Sequence, residues 1–278
     1  MLRKLVKYDL KSMLRQFVPM WILTLIVAIM LGISLNDIDT SFMAFSLSRT
    51  KNHVIMATMM LVFTAVMIAL VVMTILFIIQ RFWNGLLKEE GYLMFTLPVE
   101  VWELVTAKGI IATLVTCASI FVGILSIVVI ILFSSDEVME VLSSSGTFFY
   151  QTLFQNGDSP YYWVSMLLGL LIGIFSVAKS IYGIYAAMAL GHLFEKHRVA
   201  GACIAYVGMS AILSVIGNTA ISIIDSNFGQ EIVEHSMEFT GRAYPLIYYL
   251  GVLLITIVQL VIFHVITERV LSTRLNLE

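Results

Sequence analysis

Six long apolar runs alternate with short polar segments along this 278-residue chain. They cover Phe17–Leu35, Val54–Gln80, Gly109–Phe133, Tyr161–Leu190, Ala200–Ile224 and Pro245–Thr267. A helix needs about 20 mainly apolar residues to cross the hydrocarbon of a bilayer, so each run predicts one crossing. The second and fourth runs are long enough to tilt or protrude. The pattern predicts an all-α polytopic membrane protein with six transmembrane helices and both termini on one side. Ahead of the first run, Leu2, Val6, Leu10, Met13 and Phe17 recur at helical spacing, while Lys4, Lys7, Lys11 and Arg15 share another face. Over residues 1–16 this reads as a basic amphipathic helix in the headgroup layer, or as an ordinary basic flank of the first span.

Composition agrees with the pattern. Hydrophobic residues make up 60% of the chain and charged residues 12%, and the mean hydropathy is +0.97. Soluble domains carry about 25% charged residues, and no soluble core of this length hides so much apolar side chain. Lipid must be the solvent. No linker-like or low-complexity stretch interrupts residues 1–278, which read as a single membrane domain. The first run is too long for a signal-peptide core and lacks a small-residue cleavage site, so it is expected to remain as a span. Cys117 and Cys203 lie inside apolar runs without metal-ligand spacing, and the many methionines are expected to pack helices rather than bind copper.

The distribution of lysine and arginine orients the chain. With the termini inside, twelve of the 16 basic residues fall in inner segments. Three (Arg49, Lys51 and Arg242) fall outside, and Lys179 lies within a span. Ten acidic residues gather in the outer segments. By the positive-inside rule both termini are expected to be cytoplasmic.

No catalytic constellation accompanies the spans. There is no GxxxxGK[ST] phosphate loop, no HExxH and no intramembrane pair of carboxylates. Neither a bound cofactor nor a metal is expected, and the chain reads as a non-catalytic subunit. His192 and His197, in the short inner loop GHLFEKHRVA, are off the spacing that puts two imidazoles on one helix face and read as solvated. Lys179 is the exception to an otherwise uncharged interior. It stands a dozen residues before the inner end of its span, about 18 Å, beyond easy snorkelling. An intramembrane lysine is costly and therefore a candidate for the translocation path. The structural alternatives are pairing with backbone carbonyls or hydroxyls, which Tyr182 and Tyr185 could offer, or exposure to a water-filled cleft between subunits. Tyr182 is placed on the same path. The same run aligns Gly169, Gly173, Ser176, Ser180, Gly183 and Ala187 on one stripe, which lets helix backbones approach closely. Packing inside the protomer is the favoured use of that stripe, with a dimer seam as the alternative.

The remaining site is the polar interruption Arg81–Lys108, RFWNGLLKEEGYLMFTLPVEVWELVTAK. Its first part predicts a helix ending near Leu97–Pro98, since proline disfavours helix at the residue before it. A second amphipathic stretch, VEVWELVTAK, then leads into the third run. Phe82, Trp83, Tyr92, Phe95 and Trp102 suit the headgroup level, and Glu89 and Glu90 suit the cytoplasm. Such a segment serves either as an interfacial anchor or as a docking surface for a cytoplasmic partner.

The run KEEGYLMFTLPVEVWELVTAK resembles the "EGYLMFTLPV…LV…K" segment of bacterial ATP-binding-cassette type-2 permeases. The six-run layout, the basic N-terminal segment, the loop GHLFEKHR and the tail ERVLSTRLNLE extend the resemblance over most of the chain, with less specificity. The resemblance implies a permease subunit that pairs with a second copy or a sister permease and binds one ATPase subunit per protomer, which holds ATP and Mg. It implies a coupling helix at about Asn84–Leu97, in which Lys88, Glu89, Glu90, Gly91 and Tyr92 contact the ATPase. It implies that residues 1–16 form a connector helix. Without a large outer domain, the chain resembles compact exporters of amphipathic peptides, of the phenol-soluble-modulin and bacteriocin types, in the bacterial plasma membrane. Membrane lipid and a peptide substrate are the further expected partners, and no nucleic acid is expected.

Two other classes stay open. An ion-coupled secondary transporter would use ionisable groups at mid-membrane, of which the chain offers Lys179. A non-transporting immunity or scaffold protein would need no coupling segment.

Overall fold

The computed structural model describes residues 2–36, 48–87, 101–133, 160–194, 197–235 and 240–273. Within them lie six long helices and no strand: α1 (Leu2–Asn36), α2 (Ser48–Phe82), α3 (Val101–Phe133), α4 (Pro160–Gly191), α5 (Arg198–His235) and α6 (Thr240–Thr273). All six are long and apolar enough to cross a membrane. Each predicted run falls inside one of them, and the helices extend beyond the runs. Large aliphatic side chains face outward over much of this surface, among them Leu61, Ile68, Ile204 and Val215. A water-soluble protein does not expose apolar surface on this scale. The chain is a multi-pass membrane protein.

The residues expected to form a separate connector helix are continuous with the first span. α1 runs unbroken from Leu2 to Asn36 through Pro19. Met13 and Phe17, on its apolar face, are buried in the protein rather than in lipid. The helix expected across Arg81–Leu97 also differs in its described part. After Phe82 the backbone widens into a π-helical turn, Trp83–Leu87.

Two compact units divide the chain. One comprises Lys7–Phe77 and Leu114–Asn156. In it Trp21 donates from Nε1 to the Ser119 hydroxyl at 3.1 Å, and Phe17 packs on Phe77 with ring centroids 5.3 Å apart. The buried hydroxyls of Thr24 and Thr74 donate to carbonyls one turn back, at Met20 and Leu70. In hydrocarbon a hydroxyl has no water to bond, and its own helix is the nearest acceptor.

The second unit comprises Met1–Val6, Ile78–Thr113 and Gly157–Glu278. Here α4 packs most extensively on α6, then on α5, and α5 also packs on α6. The core gathers Ile78, Phe82, Leu104, Val105, Ile181, Tyr185 and Phe263 around the C-terminal half of α4. The turn from α4 to α5 is tight: His192 donates its amide to the Met188 carbonyl and Phe194 donates to Gly191. Gly191 allows it, because a Cβ there would come within 2.6 Å of the Ala202 amide nitrogen.

Candidate functional site

Both ends of the polar interruption Arg81–Lys108 are built into the second unit. At the leading end Phe82 is fully buried and stacks on Tyr185 of α4, with ring centroids 4.1 Å apart and planes 17° from parallel. At the trailing end Lys108 is 5% exposed, and its ammonium donates to the Arg81 carbonyl at 3.5 Å. The Tyr185 hydroxyl donates to the Lys108 carbonyl at 3.4 Å. Tyr185 therefore holds both ends at once, by its ring face and by its hydroxyl.

Two glycines make room for this arrangement. A Cβ at Gly85 would collide with the Lys108 ammonium, so the lysine can lie against the π-helical turn in this position because Gly85 has no side chain. A Cβ at Gly109 would collide with the phenol of Tyr182. Tyr182 in turn meets Tyr185 edge-on at 6.0 Å and His264 of α6 edge-on at 5.3 Å. Single-turn π segments recur at functional sites because they redirect side chains and leave carbonyls off the regular ladder. The lysine brings a positive charge to the carbonyl-rich end of α2, where cations are favoured.

The α4–α5 turn joins the same cluster. Trp83 lies against His192, with ring centroids 6.3 Å apart, and Arg198 meets the His192 Nε2 at 3.4 Å. His192 is therefore partly packed, where the sequence suggested a solvated loop, and His197 is exposed. Of the residues expected to contact an ATPase, Asn84 is exposed on the π-helical turn. Lys88, Glu89, Glu90, Gly91, Tyr92 and Leu97 lie outside the described residues.

Lys179 occupies a second polar cluster. Its ammonium donates to Gln259 Oε1 of α6 at 3.2 Å, and Gln259 Nε2 donates to the Leu213 carbonyl of α5 at 2.8 Å. The three helices of the bundle thus share one hydrogen-bonded chain. The tyrosines that could have offered it hydroxyls are engaged elsewhere: Tyr185 bonds to Lys108 and Tyr182 packs on His264. Tyr185 thus reaches the end of the interruption, Tyr182 lies between Gly109 and His264, and Lys179 bonds to Gln259 instead of either phenol. No carboxylate pairs with Lys179 among the described residues. Gln259 was not singled out by sequence reasoning. The signal for it was there: a carboxamide in the middle of an apolar run has to find partners in lipid.

The small-residue stripe divides into two halves. Gly183 sits against Phe263, whose ring a Cβ would meet at 3.5 Å, and Ala187 is buried. A Cβ at Gly169 or Gly173 would meet nothing within 4 Å. The Ser180 hydroxyl returns to the Ser176 carbonyl of its own helix at 3.0 Å. Among the described residues, the C-terminal half of the stripe is the part packed closely inside the protomer.

Among the described residues no group of three or more histidine, cysteine or acidic side chains is placed to hold a metal. Comparison of the chain with family models, with characterised proteins and with solved structures gives no match.

Proposed function

We propose that the chain is the permease subunit of an ATP-driven exporter in the bacterial plasma membrane, with both termini and the Arg81–Lys108 segment cytoplasmic. A separate ATPase subunit supplies ATP hydrolysis, and a second copy or a sister permease completes the pathway. The substrate is an amphipathic peptide. The observation that carries this reading is the double hold of Tyr185 on Phe82 and Lys108. A segment meant to transmit force must be tied at both ends to helices that move with it. Here a push on residues 88–100 would pass through Phe82 and Lys108 into α4. The resemblance of KEEGYLMFTLPVEVWELVTAK to type-2 permeases supplies the kind of partner that would push.

Purification in mild detergent tests the reading. An ATPase subunit should accompany the chain, and Glu89→Lys with Glu90→Lys should abolish substrate-stimulated hydrolysis while the protein stays in the membrane. Export unchanged in that double variant, or persistent absence of an ATPase, overturns it. A second reading, an ion-coupled carrier, is favoured by the hydrogen bond between Lys179 and Gln259. It requires that collapsing the ion gradients stops transport in vesicles still supplied with ATP.

A further inference from the structure

From Tyr8 onward α1 carries an exposed stripe whose chemistry changes once. Tyr8, Lys11, Ser12, Arg15 and Gln16 follow one another at helical spacing, and together they line a shallow, open depression of about 640 Å³ on that face. Tyr8 is 71% exposed, and the opposite face of the helix is closed by buried Met13 and Phe17. From Val18 the same stripe continues through Ile22, Ile26, Met30 and Ile33, all between 40% and 53% exposed. Donors and cations thus give way to aliphatic side chains within one turn.

Neither Lys11 nor Arg15 makes a hydrogen bond or ion pair among the described residues. The change falls at Pro19, which has no amide hydrogen to give the Arg15 carbonyl. A carbonyl released from the helix ladder needs water, which the headgroup layer has and the hydrocarbon lacks. From Val18 to Ile26 the helix rises about 12 Å, close to one leaflet of a hydrocarbon core about 30 Å thick. A ligand matching the stripe has an anionic head bearing oxygen acceptors and an acyl chain one leaflet long.

We infer that the Tyr8–Gln16 face of α1 binds one anionic phospholipid, with its phosphate on Lys11 and Arg15 and an acyl chain along Val18, Ile22 and Ile26. The phenol of Tyr8, the hydroxyl of Ser12 and the carboxamide of Gln16 supply the neutral donors around the phosphate. The aliphatic continuation selects a lipid over a soluble phosphate, and the two unpaired cations select an anionic headgroup over a zwitterionic one. This site is independent of whether ATP drives the protein.

The test uses the full chain in mild detergent, titrated with phosphatidylglycerol or phosphatidylcholine and read by native mass spectrometry. Wild type should retain phosphatidylglycerol in preference to phosphatidylcholine, and excess inorganic phosphate should not displace it. Lys11→Gln with Arg15→Gln should lower the affinity for phosphatidylglycerol about 30-fold, since each cation near an anionic lipid is worth roughly fivefold. Arg269→Gln with Arg274→Gln, an equal loss of charge elsewhere, should not lower it. Should the double variant fail to fold, the two single variants carry the same test at about fivefold each. Equal retention by the Lys11/Arg15 variant, equal binding of the two lipids, or displacement by inorganic phosphate overturns the proposal.

Discussion

The ring of Tyr185 lies nearly flat on that of Phe82, while its hydroxyl reaches the carbonyl of Lys108, 26 residues further along the chain. One side chain of α4 thereby closes the interruption between α2 and α3. The two contacts are separable by mutation. Phe82→Ala removes a fully buried ring, and in lipid the cost is mainly the cavity, because the removed atoms lose little by transfer into hydrocarbon. At roughly 24 cal/mol per Å3 a cavity of about 100 Å3 costs about 2 kcal/mol. Tyr185→Phe keeps the stack and loses one interhelical hydrogen bond, worth about 0.6 kcal/mol in a membrane. Unfolding in mixed detergent should rank Phe82→Ala well below Tyr185→Phe. The reverse order would mean that the hydroxyl, not the ring, holds the interruption.

Gly85 and Lys108 should be coupled. Gly85→Ala places a methyl group where the Lys108 ammonium lies. The ammonium ends a flexible side chain and can withdraw, at the cost of its bond to the Arg81 carbonyl. Gly85→Ala should therefore destabilise wild type by about 1 kcal/mol and the Lys108→Ala background by much less. A double-mutant cycle measures this directly, and strict additivity would show that the two residues do not share the space.

Gln259→Leu should cost more than the loss of one hydrogen bond. It strips Lys179 of its partner within the bundle, and hydrogen bonds to charged groups contribute about 1.5–3 kcal/mol. Adding Lys179→Met should restore most of that loss, since two apolar groups of similar shape leave no charge unsatisfied. Thermal unfolding of both single variants and the double variant checks it. A double variant less stable than Gln259→Leu alone would give Lys179 a further partner.

Along α4, two glycines of one stripe should behave differently. Gly183→Leu drives a side chain into the ring of Phe263 and should destabilise by roughly 1–3 kcal/mol, as overpacking does. Gly173→Leu enters open space and should leave the protomer within about 0.5 kcal/mol of wild type. Cross-linking of the same Gly173→Leu sample reads the alternative use of the stripe. Loss of a dimer without loss of protomer stability assigns that half to a subunit seam.

The helical, six-span architecture was legible in the order of residues, because the thickness of hydrocarbon sets a length that each apolar run must meet. The cost of a charge in lipid likewise marked Lys179 before any contact was known. Contacts were not legible in the same way. Lys179 turned to Gln259 rather than to the tyrosines beside it on α4, and Lys108 folded back on Arg81 instead of only flanking its span. The small-residue stripe was plain in the sequence, yet only the packing of α6 separated Gly183, which meets Phe263, from Gly173, which meets nothing. In water, hydropathy tells which face of a helix turns inward. Lipid is as apolar as leucine, so within these spans hydropathy does not tell which face turns inward, and close packing and the pairing of a few polar groups decide it.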